Sequence, residues 1–230
     1  MDGTRRYLGA LLALLIGGAA RAQPAAPPAR HFTFTVFSPE LIEHLVYVPH
    51  PNAAPLPLVF YPTARSCSYR YAGPETVQLF DSGTGAAAAK VSVPSEIHTA
   101  LFVLAAIGSP ASATPRYRVQ VVDDGVTHHP PGTLLILNLS GLQLAGTINQ
   151  RHVTLAGGMN APIRVGASAA VNLRTPFKGR SYQAYAETIP LSDSGRALLL
   201  LLPPYRQGSL EVQSRVLLDA PVVESREPRR

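Results

Sequence analysis

The middle of the chain holds a dense local group of potential metal ligands. Asp123, Asp124, His128 and His129 fall within seven residues. Carboxylate and imidazole groups bind Zn²⁺, and carboxylates also bind Ca²⁺. Asp-Asp-Gly is, however, an ordinary turn sequence, and two prolines follow the histidine pair. We therefore expect a solvated turn between two domains here and predict no metal ligand.

Motifs for catalysis are absent from the sequence. The Gly-x-Ser-x-Gly elbow of α/β hydrolases does not occur, and the eight glutamates are too scattered to mark a glycosidase pair. A blue-copper centre is excluded because Cys67 has no His or Met shortly after it, and Met159 has no His close behind it. The sequence thus predicts no catalytic residue and no cofactor-binding residue.

Tyrosines and arginines form two local groups that suit recognition. These are Tyr69, Arg70 and Tyr71, and then Tyr182, Tyr185, Tyr205 and Arg206. Sugar-binding β-sandwiches present flat aromatic platforms, and this chain contains no Trp. Tyr and Arg are also frequent at binding hot spots. We favour packing on edge strands for both groups, with recognition as the alternative.

The single cysteine, Cys67, lies in Arg-Ser-Cys-Ser-Tyr, between two stretches of strand character. We expect a half-buried thiol in a strand, with an intermolecular disulfide or a reactive thiol as the alternatives. One cysteine cannot form an internal disulfide, so burial of apolar side chains must stabilise the fold.

The N-terminus has the pattern of a secretory signal peptide. Arg5 and Arg6 precede a small and apolar run over 8–20, and Ala20-Arg21-Ala22 has the form of a cleavage site. The run is shorter than the roughly 20 residues that span a bilayer. We predict a signal peptide over residues 1–22, cleavage after Ala22 and a periplasmic or secreted protein, with an uncleaved anchor as the alternative.

The formal net charge of +6 is spread along the chain. Eighteen of the twenty basic residues are arginines, and they do not form a block with interleaved aromatic residues. The sequence therefore does not predict nucleic-acid binding, which relies on clustered basic residues.

Strand patterns dominate the rest of the sequence. Phe32, Phe34 and Val36 alternate with polar residues, which is typical of a half-buried strand. The run 197–202 is apolar on both faces and ends at two prolines, which indicates a strand buried on both sides. Leu58–Tyr61 is predicted as a further strand. Pro39–His44, capped by Ser38, could form a single helical turn.

About a dozen to fifteen strands are expected at the short spacing of sandwiches or barrels. We predict an all-β, antiparallel sandwich fold, with two immunoglobulin-like sandwiches in tandem over 31–125 and 126–220. A single large jelly roll is the alternative. A Pro/Ala linker covers 23–30, and a flexible tail covers 221–230. Ser140-Gly141 is predicted as a hairpin turn joining strands within 134–139 and 142–148.

Leu134–Val165 contains Asn-Leu-Ser, Leu-x-Leu-x-Gly-Thr-Ile and Leu-x-x-Gly. This stretch resembles a module of uncharacterised secreted bacterial β-sandwich proteins, which have no known activity. The layout, with Ala100-Leu-Phe-Val103 ahead of a second domain, is more distantly similar to periplasmic pilus chaperones. The paired basic anchor of that family matches no residue here, so the resemblance implies architecture alone.

These observations predict an exported, non-catalytic protein of the cell envelope that acts by binding or structural association. The expected partner is an envelope or secreted protein, and the oligomeric state is left open. A chaperone-like assembly factor acting by strand addition is one alternative. A secreted hydrolase or carbohydrate-active protein with a spatially assembled site is the other.

Overall fold

The computed structural model describes residues 29–107, 116–192 and 194–219. This part of the chain contains seventeen strands and no helix, which confirms the all-β prediction. The predicted signal peptide, most of the linker and the tail lie outside the described residues, as does the segment 108–115.

The first eight strands form two four-stranded sheets. An inner sheet has the order β4-β1-β7-β8 and an outer sheet the order β3-β2-β5-β6. The strands are β1 (Arg30–Phe37), β2 (Leu45–Tyr47), β3 (Leu56–Pro57), β4 (Tyr69–Gly73), β5 (Thr76–Asp81), β6 (Ala87–Ser92), β7 (Thr99–Ala106) and β8 (Tyr117–Asp123).

The remaining nine strands form a second pair of sheets. An inner sheet has the order β12-β9-β16-β17, with β13 also paired to β9, and an outer sheet has the order β11-β10-β14-β15. The strands are β9 (Thr133–Asn138), β10 (Leu144–Ile148), β11 (Arg151–Leu155), β12 (Gly158–Met159), β13 (Ile163–Arg164), β14 (Ser168–Phe177), β15 (Arg180–Pro190), β16 (Arg196–Leu202) and β17 (Gln213–Asp219).

The two halves share one topology. In the first, β1 pairs antiparallel with β4 and parallel with β7, and β7 pairs antiparallel with β8. In the second, β9 pairs antiparallel with β12 and parallel with β16, and β16 pairs antiparallel with β17. Counting β12 and β13 as one strand, the outer sheets also correspond strand by strand. The chain is therefore an internal repeat of one eight-stranded sandwich, each copy with a single parallel pair in its inner sheet.

Each half has its own apolar core. The alternation along β1 places Phe32, Phe34 and Val36 in the first core, as predicted. Phe34 stacks on Phe102 with ring centroids 4.6 Å apart. The second core is mostly aliphatic and includes Ile136 and inward-facing residues of β14 and β16. Two cores favour the tandem arrangement over the single jelly roll.

A third apolar cluster lies between the two inner sheets. Strands β7, β9 and β16 each direct alternate side chains into it: Leu101 and Val103, Leu135 and Leu137, and Leu198 and Leu200. The intervening residues of the same strands enter the core of their own half. The prediction that 197–202 is a strand buried on both faces is confirmed, and the packing of the two inner sheets against each other is the cause.

Three local predictions are wrong. Ser140-Gly141 is not a hairpin turn, because β9 and β10 belong to different sheets and the turn carries the chain across the core. Leu58–Tyr61 is not a strand, since the pairing with β2 ends at Pro57. No helical turn forms after Ser38, although its hydroxyl accepts a hydrogen bond from the Glu40 N–H at 3.1 Å.

Candidate functional site

The candidate site lies on the face of the first inner sheet that points away from its core. Because side chains alternate along a strand, His31 and Thr33 of β1 lie on the opposite face from Phe32. In the register with β4, His31 is opposite Ala72 and Thr33 is opposite Arg70. These four residues form the base of a pocket at the edge of the sheet.

Two loops complete this pocket, which has a volume of about 420 Å³. The Ala72 N–H donates to the Pro49 carbonyl at 2.7 Å, which brings the loop with His50 beside β4. The Thr33 N–H donates to the His98 carbonyl at 3.0 Å. We call this site the histidine pocket; it is lined by His31, Phe32, Thr33, Pro49, His50, Arg70, Tyr71, Ala72 and His98.

The polar lining of the histidine pocket is basic. Three of the seven histidines of the chain and Arg70 line it, and none of the nine lining residues is acidic. Within the described residues, Arg70 forms no salt bridge. Guanidinium and imidazole N–H groups are hydrogen-bond donors. Its lining can therefore donate hydrogen bonds to an anion.

An apolar hollow adjoins the histidine pocket, and part of the aromatic core lies beneath both. Phe32 and Tyr71 are buried and pack with ring centroids 5.2 Å apart. Burial raises the pKa of Tyr71, so its hydroxyl stays neutral over the physiological range. This adjoining hollow has a volume of about 330 Å³ and shares His50, Tyr71 and Ala72 with the histidine pocket. The rest of its lining is mainly apolar and includes Val48, Pro51, Pro74 and Phe80. The two hollows together suit a ligand with an anionic group on an apolar body.

The first tyrosine group packs as predicted. Tyr69 and Tyr71 contact the aromatic core, and the Tyr69 ring centroid is 5.4 Å from that of Phe34. The Tyr69 hydroxyl accepts a hydrogen bond from the Val59 N–H at 2.8 Å. Burial is the main reason that the pKa of Tyr69 rises to about 12. Arg70, between them on the strand, faces the pocket.

The second tyrosine group does not assemble. Tyr185 is buried, Tyr182 is partly exposed and Tyr205 is fully in solvent. A bulge in β15 opposite Leu173 makes Ala184 and Tyr185 both buried, which breaks the alternation of a regular strand. The Tyr185 hydroxyl donates to Glu187 at 2.7 Å, and burial together with this carboxylate raises its pKa.

Part of the Asp/His group forms a buried ionic cluster. The predicted solvated turn therefore fits Asp123 and His128 but is wrong for Asp124 and His129. Asp123 and His128 lie at the surface side, 2.6 Å apart, whereas Asp124 and His129 are buried. The Asp124 carboxylate accepts hydrogen bonds from the Arg65 guanidinium at 3.0 and 3.2 Å and lies 3.1 Å from His129 Nδ1. Because His129 is inaccessible, this pair cannot serve a hydrolase triad.

The same cluster joins the two halves of the chain. Arg196 binds the Asp219 carboxylate and donates to the carbonyls of Asp124 and His129 at 2.8 and 2.9 Å. Arg65 also reaches Asp219 at 3.4 Å. Both arginines are therefore neutralised by carboxylates, and neither is free to anchor the terminal carboxylate of a partner between the domains.

Burial alone would raise the pKa of Asp124. The hydrogen bond from His129 and the charges of Arg65 and Arg196 outweigh burial and hold the pKa of this carboxyl below its ordinary value. Across 29–107, 116–192 and 194–219, no three His, Cys, Asp or Glu residues are placed to hold a metal ion. The cluster is a structural tie between the sandwiches.

Cys67 is exposed and precedes β4 in a segment without regular structure, so the prediction of a half-buried thiol in a strand is wrong. The neighbouring Ser66 takes the buried position instead, and its hydroxyl accepts a hydrogen bond from the Val36 N–H at 2.8 Å.

The histidine pocket was not found from the sequence. The alternation along β1 does place His31 on the polar face. His50 and His98, however, come from loops 19 and 67 residues further along the chain, and no local signal joins three such segments.

Comparison with known proteins does not assign the chain to a family. No family model matches the chain, and no curated protein sequence matches it either. In the part of the chain that the structure describes, no helix is long and apolar enough to cross a bilayer.

Proposed function

We propose that this protein is an exported, non-catalytic binding protein of the cell envelope, and that its ligand carries an anionic group bound in the histidine pocket. The observation that carries the proposal is the convergence of His31, His50, His98 and Arg70 on one open pocket without an acidic lining residue. The N-terminal leader pattern supports export.

The chemistry of the lining supports binding of an anionic group. Guanidinium and protonated imidazole groups donate hydrogen bonds to carboxylate and phosphoryl oxygens, and such charge-assisted bonds are stronger than neutral ones. The lining residues include no carboxylate that would repel an anion. Pro49 and Ala72 supply an apolar part of the lining that can contact the rest of the ligand.

The proposal predicts that binding depends on the charge of the ligand. Because the polar lining consists mainly of guanidinium and imidazole donors and no lining residue is acidic, an anionic probe should bind more tightly than a neutral probe of the same shape.

The test uses residues 23–230 and two small aromatic probes of nearly equal shape. Benzoate carries the anionic group, and benzamide is its neutral counterpart. Isothermal titration should show saturable binding of benzoate and no comparable binding of benzamide. Phenyl phosphate as a third probe distinguishes a preference for phosphoryl groups from a preference for carboxylates.

Single substitutions test whether benzoate binds in the histidine pocket. Arg70→Gln and His98→Gln should each weaken benzoate binding about tenfold, because each removes a charged hydrogen-bond donor. His152→Gln is the matched control, since this exposed histidine lies on the second sandwich. Equal binding of benzoate and benzamide, or an equal effect of all three variants, would refute the proposed site.

A further inference from the structure

The hairpin of β14 and β15 extends beyond its sheet. Lys178 and Gly179 have φ angles of 48° and 74°, as a two-residue hairpin turn requires. The pairing of β10 with β14 stops at Arg174, whereas β14 continues to Phe177 and β15 begins at Arg180. The end of the hairpin is therefore a two-stranded ribbon with no third strand beside it.

Two aromatic side chains on this ribbon are exposed to solvent. Phe177 is 46% exposed and Tyr182 is 38% exposed. Phe177 is paired with Arg180, and Tyr182 is paired with Thr175, so both aromatic residues lie on the same face of the ribbon. Their ring centroids are 6.4 Å apart with the planes inclined by 67°. Large apolar side chains grouped at an exposed tip commonly mark an interaction surface.

Basic residues surround the aromatic pair. Lys178 Nζ lies 5.3 Å from the centre of the Phe177 ring, and Arg180 is exposed beside it. Arg174 is held on the opposite face of the ribbon by hydrogen bonds to Ser181 at 2.7 and 3.0 Å. Within the described residues, no carboxylate forms a salt bridge with any of these three cations.

We propose that this ribbon tip, Arg174–Tyr182, binds the surface of a membrane that contains anionic lipids. Tyr and other aromatic rings partition into the boundary between lipid headgroups and acyl chains, and each basic residue near an anionic surface adds to the attraction. The tip presents both features together, and its positive charge is complementary to phosphatidylglycerol headgroups. An exported protein with such a tip would lie against the lipid surface while the histidine pocket on the first sandwich remains separate.

The ring geometry favours lipid over polysaccharide. Sugars stack on open, flat ring faces, whereas Lys178 covers one face of Phe177. Phe177 and Tyr182 are steeply inclined to each other and do not form a common platform.

The test exploits the absence of Trp from the chain. Phe177→Trp places a single fluorescent reporter at the tip, and Tyr205→Trp places one at a residue that is 86% exposed elsewhere. Vesicles of phosphatidylcholine with phosphatidylglycerol should shift the emission of Phe177→Trp to the blue and leave that of Tyr205→Trp unchanged. Co-sedimentation of the unaltered chain with the same vesicles provides an independent reading.

Neutralising the basic residues should separate their electrostatic contribution to vesicle binding from the contribution of the aromatic side chains. Lys178→Gln combined with Arg180→Gln should weaken the binding to anionic vesicles about 25-fold, since each basic residue contributes roughly a factor of five. Binding should fall with added salt and be weak on pure phosphatidylcholine. No blue shift together with no co-sedimentation would overturn the proposal. A shift produced by an acidic polysaccharide such as alginate, but not by vesicles, would overturn it as well.

Discussion

The packing of the two inner sheets makes a quantitative prediction for Leu200→Ala. Leu200 is fully buried in the apolar cluster between the sheets, next in sequence to Leu199, which is fully buried in the second core. Truncating a buried Leu to Ala costs about 2–5 kcal/mol of unfolding free energy. If the two sheets pack as described, Leu200→Ala and Leu199→Ala should cost similar amounts.

For a protein of this size, about 1 kcal/mol shifts the melting temperature by roughly 2–4 °C. A loss of about 3 kcal/mol therefore predicts a decrease of roughly 6–12 °C for Leu200→Ala. Differential scanning calorimetry of residues 23–230 measures it directly. Leu218→Ala is the matched control, because Leu218 on β17 is 54% exposed and should change the melting temperature little.

If the inner sheets were apart in solution, Leu200 would be exposed, and its truncation would resemble that of Leu218 instead of Leu199. A near-zero shift for Leu200→Ala beside a large shift for Leu199→Ala would therefore contradict the packing of the two halves.

Further predictions concern the backbone and the ionic cluster. Gly146→Ala should lower the melting temperature strongly, because the new Cβ would lie 2.0 Å from the Asn172 carbonyl oxygen. Gly157→Ala is the control, since a Cβ there meets nothing within 4 Å. Thermal unfolding of the two variants measures the difference. Asp124→Asn should cost about 3 kcal/mol in urea unfolding, because it leaves the buried charges of its partners uncompensated. The pKa of Asp124 is lower in the folded protein than in the unfolded chain, so its stabilising contribution is full above about pH 4 and is lost as the pH falls through the folded value. Urea midpoints of Asp124→Asn should therefore depend less on pH below about pH 4 than those of the unaltered protein.

Much of the fold follows from side-chain alternation. The pattern of β1 and the doubly apolar run of β16 are both visible in the sequence, and both strands occur as predicted. Partners of a strand are not encoded locally, because pairing depends on contacts far apart in sequence. For this reason Ser140-Gly141 was predicted to join a hairpin, although the turn connects two different sheets.

The same limit applies to the functional residues. The Asp/His group was visible as a sequence cluster, but its burial depends on Arg65 and Arg196, which lie more than fifty residues away on either side. The internal repeat is likewise a property of strand order and pairing. It becomes apparent only when the two pairs of sheets are compared.

The most direct test of the proposed function is to map benzoate binding on the amide spectrum of isotope-labelled residues 23–230. If the histidine pocket binds the anion, saturable shifts should be confined to the start of β1, to β4 and to the loops that hold His50 and His98. Benzamide should leave these signals in place. Shifts that cluster elsewhere, or a spectrum unchanged by benzoate, would contradict the claim that the histidine pocket binds an anionic ligand.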